Sequence, residues 1–416
     1  MNAYLISCML AALAGAVQDP QPAPPPAPPD AVKSKGGSPI KFYGSLRVDL
    51  AWDDSRFNDN QIASRVLPEP TSATNHLEEF TMHGRLTRFG LDLDGGTIEA
   101  LEAKLSGKLE VDFYGFLNSD SRNDFRMRHA FLKLNWKRFS LLAGQTADLI
   151  SPRFANVNHD LVMWNAGNTG DRRPQIRGEW ALPMGEGGAR LDLQFMIGQT
   201  GAVDAKDAAT GTAVLSGENS GMPTLQARVN VAIPVREKRN LEIALWIHHA
   251  EEETEVAIAG ETDFASSLVG VDFYVPVYED KVWVHGEYWK GDDLSDVRGG
   301  IGQSVHPTTG VEIESKGGWI EIGLNVSDVY SVTVGFSTDD PKDGDLGAAA
   351  VAAPAGYSGA YATSGASKNK ILFTSHTLNF KPVVIGFELL SWDTDYVGAI
   401  GDGDALRFKF YMAYNF

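Results

Sequence analysis

The feature that most restricts how this chain can fold is an alternation sustained from Lys41 to its last residue. In LEAKLSGKLEVDFY, Leu101, Ala103, Leu105, Leu109, Val111 and Phe113 share one face, while Glu102, Lys104, Lys108, Glu110 and Asp112 share the other. A period of two is the period of a strand. KFYGSLRVDLAW, ARLDLQFMIG, TLQARVNVAI, LEIALWIHH, DKVWVHGEYW, WIEIGLNV and the closing LRFKFYMAYNF repeat the pattern. A soluble sandwich also alternates, with its apolar face turned inward. Here the polar faces carry opposed charges, and the strands run to about 9–12 residues, the length a tilted bilayer crossing needs.

The connections constrain the fold further. Strands are expected near 41–52, 83–94, 101–114, 125–136, 138–146, 173–183, 188–198, 223–234, 239–250, 264–275, 280–290, 317–327, 329–337, 370–381, 383–392 and 405–416. Links after odd strands (53–82, 115–124, 147–172, 199–222, 251–263, 291–316, 338–369, 393–404) are long or middling, polar and Gly-rich. Links after even strands, such as GGTIEA, MGEGG, VREK, VYE and KP, are short. The expectation is an all-β protein: a transmembrane antiparallel β-barrel of about sixteen strands, with short periplasmic turns and long extracellular loops. Closure satisfies every backbone hydrogen bond in lipid, and an open sheet does not. The last strand is expected to close against KFYGSLRVDL.

Composition alone points elsewhere. With 43% hydrophobic and 22% charged residues and a net charge of −18, the chain has the profile of a soluble acidic protein. Hydropathy averages, however, do not register barrel strands. Residues 1–16 read as a signal peptide, an uncharged apolar run ending in the small residues Ala14-Gly15-Ala16. Cys8 is the single cysteine, so processing removes it and leaves no thiol metal site or disulfide framework. Residues 17–39 form a Pro-rich periplasmic linker, extended as polyproline II, with a possible cell-wall contact, and 40–416 form the barrel.

FYGSLRVD, GRLTRFGLDLD, GKLEVDFYGF, FRMRHAFLKLNW, LLAGQTADLISP, RRPQIRGEW and the terminal Phe416 resemble the DcaP-like porins of Gram-negative bacteria. The resemblance is densest over 42–180 and at the C-terminus. It implies a trimeric, sixteen-stranded diffusion porin in the outer membrane, with the loop after strand five folded inward, passing small anionic solutes such as dicarboxylates. It also implies that barrel-assembly machinery reads Phe416. The helical segment that often precedes such barrels is replaced here by proline, so no docking role for that helix is carried over.

Taking each polar face as inward gives a pore-lining basic arc of Arg47, Arg88, Lys104, Lys108, Arg126, Arg128, Arg173, Arg177, Arg190, Arg228, Arg407 and Lys409. Strands one to eight and sixteen supply it, and closure makes them contiguous. Asp49, Glu102, Glu110, Asp112, Glu179 and Asp192 interleave with it. Arg and Lys rings favour anions, and guanidinium forks a carboxylate. The expected function is passive diffusion of small hydrophilic, anion-leaning solutes. The alternative is a structural barrel anchored to the cell wall by the Pro-rich segment.

The segment 146–172 is the constriction candidate, with Arg153, His159 and Asp160 near the eyelet. His248 and His249 point to opposite faces of a strand and cannot chelate together. No catalytic residue, metal, cofactor or nucleic-acid partner is expected. Trp52, Trp136, Trp289, Trp319, Trp392 and Tyr414 are expected in interfacial girdles, and Trp246 and Trp283 on the pore side.

Overall fold

The computed structural model describes residues 32–33, 39–59, 62–115, 117–119, 122–157, 162–201, 217–236, 239–279, 281–351, 363–398 and 401–416. The expected signal peptide, Cys8 and nearly all of the Pro-rich linker lie outside them, as do His159 and Asp160.

Sixteen antiparallel strands close into a barrel. They are β1 Pro39–Asp53, β2 in two parts (Glu79–His83 and Arg88–Ile98), β3 Ala103–Asp112, β4 Arg126–Asn135, β5 Phe139–Ala147, β6 Arg172–Met184, β7 Ala189–Gly198 and β8 Thr224–Arg236. The second half comprises β9 Arg239–Ile258, β10 Glu261–Tyr278, β11 Val282–Asp292, β12 Glu314–Asn325, β13 Tyr330–Pro341, β14 Ala366–Asn379, β15 Val383–Tyr396 and β16 Gly403–Asn415. Each pairs with its neighbour in sequence, and β16 closes on β1 with Leu46 opposite Tyr414 and Leu50 opposite Phe410. Phe416 completes the seam: its N–H donates to Gly44 O at 3.1 Å and its carbonyl accepts from Gly44 N–H at 3.0 Å. No sheet edge remains between first and last strands.

Alternation decides the two faces. Ile243, Leu245 and Ile247 on β9, Ile320 and Ile322 on β12, and Leu372 on β14 are exposed, while their even or odd neighbours are buried. An exposed apolar row on every wall of a closed sheet is the lipid face of a membrane barrel. Trp136 stacks on Phe139 at 5.4 Å, and Phe139 meets Trp180 at 4.7 Å, at the short-turn end of β4–β6. This cluster matches the aromatic belt of a membrane interface.

Three expectations need correction. Residues 251–263 are not a loop: β9 and β10 continue as a hairpin to a tight turn at Ala259 (φ 54°) and Gly260 (φ 96°). The alternation simply continues through the acidic stretch, with Glu252 and Thr254 buried. Second, β2 is interrupted. Gly84–Thr87 leave the ladder, and Thr87 Oγ1 bridges the Arg47 N–H and C=O instead, each at 3.1 Å. Third, Trp289, Trp319 and Trp392 are not girdle residues; all three point inward and are buried.

Those inward rings need space. Trp246 lies directly across from Gly270, and Trp289 from Gly317. A Cβ on Gly270 would sit 2.2 Å from the Trp246 ring, and one on Gly317 2.4 Å from that of Trp289. Tyr43–Gly90, Trp283–Gly323, Phe373–Gly335 and Tyr411–Gly386 are paired likewise. These six glycines therefore make room for ring packing against the inner wall.

Candidate functional site

The lumen is shaped by the segment 148–171, the third outer loop (L3), which leaves β5 and returns into β6. Its polar contacts trace its path. The Leu149 N–H donates to Gln226 of β8 at 2.8 Å, and Ser151 Oγ donates to Glu287 of β11 at 2.5 Å. Arg153 reaches Asp272 of β10 at 2.7 Å and Glu242 of β9 at 2.6 Å. The Asn156 N–H donates to Glu321 of β12 at 2.9 Å. On the return, Ser337 of β13 donates to Ala166 O, and Asn369 of β14 donates to Asn165 O at 2.8 Å. A loop rooted on β5–β6 that touches the inward rows of β8 to β14 crosses the lumen. Ser151, Val162, Met163 and Asn165 hold positive φ along it. Such backbone costs on the order of 1–3 kcal/mol per residue and persists only where packing over-determines it.

That packing is apolar. Ile150 joins Trp246, Leu268, Trp289, Leu294 and Val297 in one buried cluster. Ala155, Val157, Met163 and Ala166 join Phe57, Val66, Trp319, Phe373 and Trp392 in another. Each large side chain buried there contributes about 1.5–3 kcal/mol. Phe57 lies edge-on to Trp392 at 5.1 Å, so the first outer loop (54–78) shares this core. The Trp289 indole donates to Gly167 O at 2.7 Å. Trp246 is inward as expected, yet it lies in this core and is 1% exposed.

L3 is locked at its root. Arg173 of β6 donates to Asp148 at 2.6 and 3.1 Å, to Asp296 of the loop 293–313 (L6) at 2.7 Å, and to Gln199 O at 2.9 Å. Asp171 accepts from Arg298 of L6 at 2.8 Å. Burial pushes the Asp171 carboxyl up, but Arg298 and Arg172 outweigh it and hold it below the usual range. Burial pushes the Asp296 carboxyl above that range, with Arg173 opposing.

The basic residues of the arc fall into three groups. Arg47, Arg88, Arg126 and Arg128 gather around Asp49, Glu110 and Asp112: Arg47–Asp49 is 2.7 Å, Arg88–Glu110 3.5 Å, Arg126–Asp112 2.6 Å and Arg128–Glu110 2.7 Å. Toward the short turns, Lys104 meets Asp94 at 3.2 Å, Lys108 meets Asp92 at 2.8 Å, and Arg190 meets Asp192 at 2.6 Å. Arg177, at mid-strand, donates toward the L3 end, to Gln175 and Ala147 O, and Arg228 pairs with Asp272 at 2.9 Å. The third group is sealed. Arg173, Arg407 and Lys409 are 0–1% exposed. Arg407 forks Asp53 at 2.6 and 2.8 Å beneath the Phe57 ring at 4.3 Å. Alternation gives a side chain's direction but not what covers it, so these cations do not face open water.

The opposite wall differs in sign. The inward rows of β9–β15 carry Glu242, Glu252, Asp272, Glu287, Glu321, Asp339 and Glu388. Apart from Arg239 beside Tyr274 at the short-turn end, they carry no Lys or Arg among the described residues. Arg153 and Arg228 neutralise part of that wall. His248 points inward to Gln226 and Ser266, while His249 is exposed on the other face.

Between residues 154–157 of L3 and the wall of β1, β2 and β13–β16 lies a cavity of about 420 Å³. Phe154, Ala155, Asn156 and Val157 line it from L3, with Ser45, Arg47, Leu86, Arg88, Ser331, Thr377, Val384, Tyr411, Ala413 and Asn415 across from them. Among the described residues its charged lining consists of Arg47 and Arg88. Arg47 lies flat over Tyr411, 4.1 Å from the ring centroid. Sequence reasoning missed Leu86, Phe154 and Tyr411. Leu86 is brought here by the break in β2, which GRLTRFG signals only through its glycine.

No family model matches the chain, and no curated protein matches it. Solved structures do. The outer membrane channel DcaP of Acinetobacter baumannii aligns over 93% of this chain and 100% of its own, at 18% identity and a TM-score of 0.70. An anion-selective porin from Comamonas acidovorans aligns over 91% and 100%, at 12% identity and a TM-score of 0.54. OmpT of Vibrio cholerae, in a trimer form, aligns over 91% and 99%, at 12% identity and a TM-score of 0.53. The resemblance read from the motifs thus holds at the level of the fold: the chain is a multi-pass, sixteen-stranded β-barrel of the outer-membrane porin type, with the architecture of DcaP.

Proposed function

We propose that this barrel is a passive diffusion pore that favours small organic anions. One observation carries the reading: at the gap left by L3, the charged lining among the described residues is Arg47 and Arg88, each paired to a carboxylate, Asp49 and Glu110, outside that lining. Cationic lining at a narrow, low-dielectric passage favours anions. The anion selectivity named for the Comamonas porin supports the reading, as does the trimer form of OmpT for assembly as a homotrimer. Export through the segment 1–16, a spacer role for 17–39 and reading of Phe416 by assembly machinery belong to the same proposal. Purified protein in planar bilayers under a KCl gradient tests it. The reversal potential is expected on the anion side and moves toward zero in R47Q/R88Q. A cation-side potential in the wild type, or an unmoved one in the double variant, refutes the reading.

A further inference from the structure

Phe154 is the unusual member of the cavity lining. It sits on the outgoing limb of L3, flanked by Arg153, which is stapled to Asp272 and Glu242, and by the buried Ala155. Phe154 is nonetheless 39% exposed, whereas the inward Trp246, Trp289, Trp319 and Trp392 are buried and Tyr43, Trp283 and Tyr411 are half-buried. A phenyl ring held open inside an aqueous channel, by a loop fixed on both sides, is an exposed apolar surface offered to whatever passes. Across the cavity, the half-buried Val384 presents further apolar surface, and Tyr411 lies beneath Arg47. Among the described residues, the charged lining is confined to the Arg47–Arg88 side. The volume falls within the range of small-ligand sites.

We infer that Phe154 is a specificity-determining residue that selects organic anions carrying an apolar body over small or doubly charged ones. This rests on the anion reading above and narrows its solute class. The carboxylate lies toward Arg47 and Arg88, and the hydrocarbon part lies against Phe154. A second carboxylate on the same solute would have to be desolvated against Phe154, where among the described lining residues there is no cation and the adjoining Arg153 is held by Asp272 and Glu242. Dicarboxylates are therefore the poorer fit.

The test is relative permeability from bi-ionic reversal potentials, using the sodium salts of cyclohexanecarboxylate, acetate and succinate against chloride. In the wild type, cyclohexanecarboxylate is expected to be more permeant than acetate despite its larger size, and more permeant than succinate. In F154A the cyclohexanecarboxylate-to-acetate ratio is expected to fall by roughly threefold or more, the scale of a few partly buried methylene groups. F154L is expected to retain most of the ratio. A wild-type ranking that simply follows size overturns the inference, as does an F154A ratio equal to that of the wild type. The KCl reversal potential in the same membranes separates the two proposals. If it stays on the anion side while the organic-anion ranking fails, the apolar selection is wrong and the anion reading survives. A cation-side KCl potential defeats the anion reading itself. If F154A does not assemble, the wild-type ranking still decides the inference.

Discussion

Removing Arg173 should unlock L3 from its root. In R173L, Asp148 and Asp296 lose their shared guanidinium, with side chains 1% and 0% exposed. Gln199 O and Thr224 also lose a donor. Breaking a buried ion pair by removing one partner costs about 3–5 kcal/mol, because the remaining charge stays buried. Asp148 keeps the Asp171 N–H at 2.9 Å, which argues for the lower half of that range. At about 4 kcal/mol, local opening of the loop becomes roughly a thousandfold more populated. Hydrogen exchange reads this directly. The Leu149 and Gly170 amides, bonded to Gln226 and to Val297 O, should lose protection by that factor, while amides in β12 and β13 keep theirs. In bilayers the same variant should show a noisier current. Exchange within a few-fold of wild type across 148–171 would refute the claim that Arg173 holds the loop.

Two further outcomes follow from the same contacts. R153A should raise conductance and shift selectivity toward cations, because it withdraws a positive charge and uncovers Glu242 and Asp272; conductance and reversal potential in KCl check both, and Arg228 limits the loss at Asp272. The partial exposure of Arg153 and Glu242 brings the stability cost down to about 1–3 kcal/mol. Acid should act in two stages at the L3–L6 junction. Asp296 has a raised carboxyl in the folded protein, so the folded state binds the extra proton first, and stability rises as pH falls from that value toward about 3.9. Asp171 is depressed, so its contribution is present above the ordinary carboxylate range and is lost as pH falls below it. Protection of 148–171 measured across acid pH should therefore pass through a maximum; a monotonic decline from neutrality would contradict the assignment.

Strand order, closure and face were legible because period-two alternation and loop length are local properties of the sequence. Pairs two apart on one strand, Arg47–Asp49 and Arg190–Asp192, were within the same reach. The misplaced tryptophans were also readable in principle. Trp289 shares parity with Glu287 and His285, Trp319 with Glu321, and Trp392 with Glu388, and each parity marks the inward row. The rule that aromatics belong in girdles overrode that signal. Coverage was not legible. Arg173 meets Asp296 123 residues away, and Arg407 meets Asp53 354 residues away beneath Phe57, so neither seal follows from local pattern. The same limit hid the cavity, whose lining joins L3 to the break in β2 and to the closing strands.

The sign of the reversal potential under a KCl gradient tests the central claim most directly. An open, steady, ohmic channel with its potential on the anion side, moved toward zero by R47Q/R88Q, is the predicted result. A barrel that carries no current, or one whose potential lies on the cation side, would contradict the account.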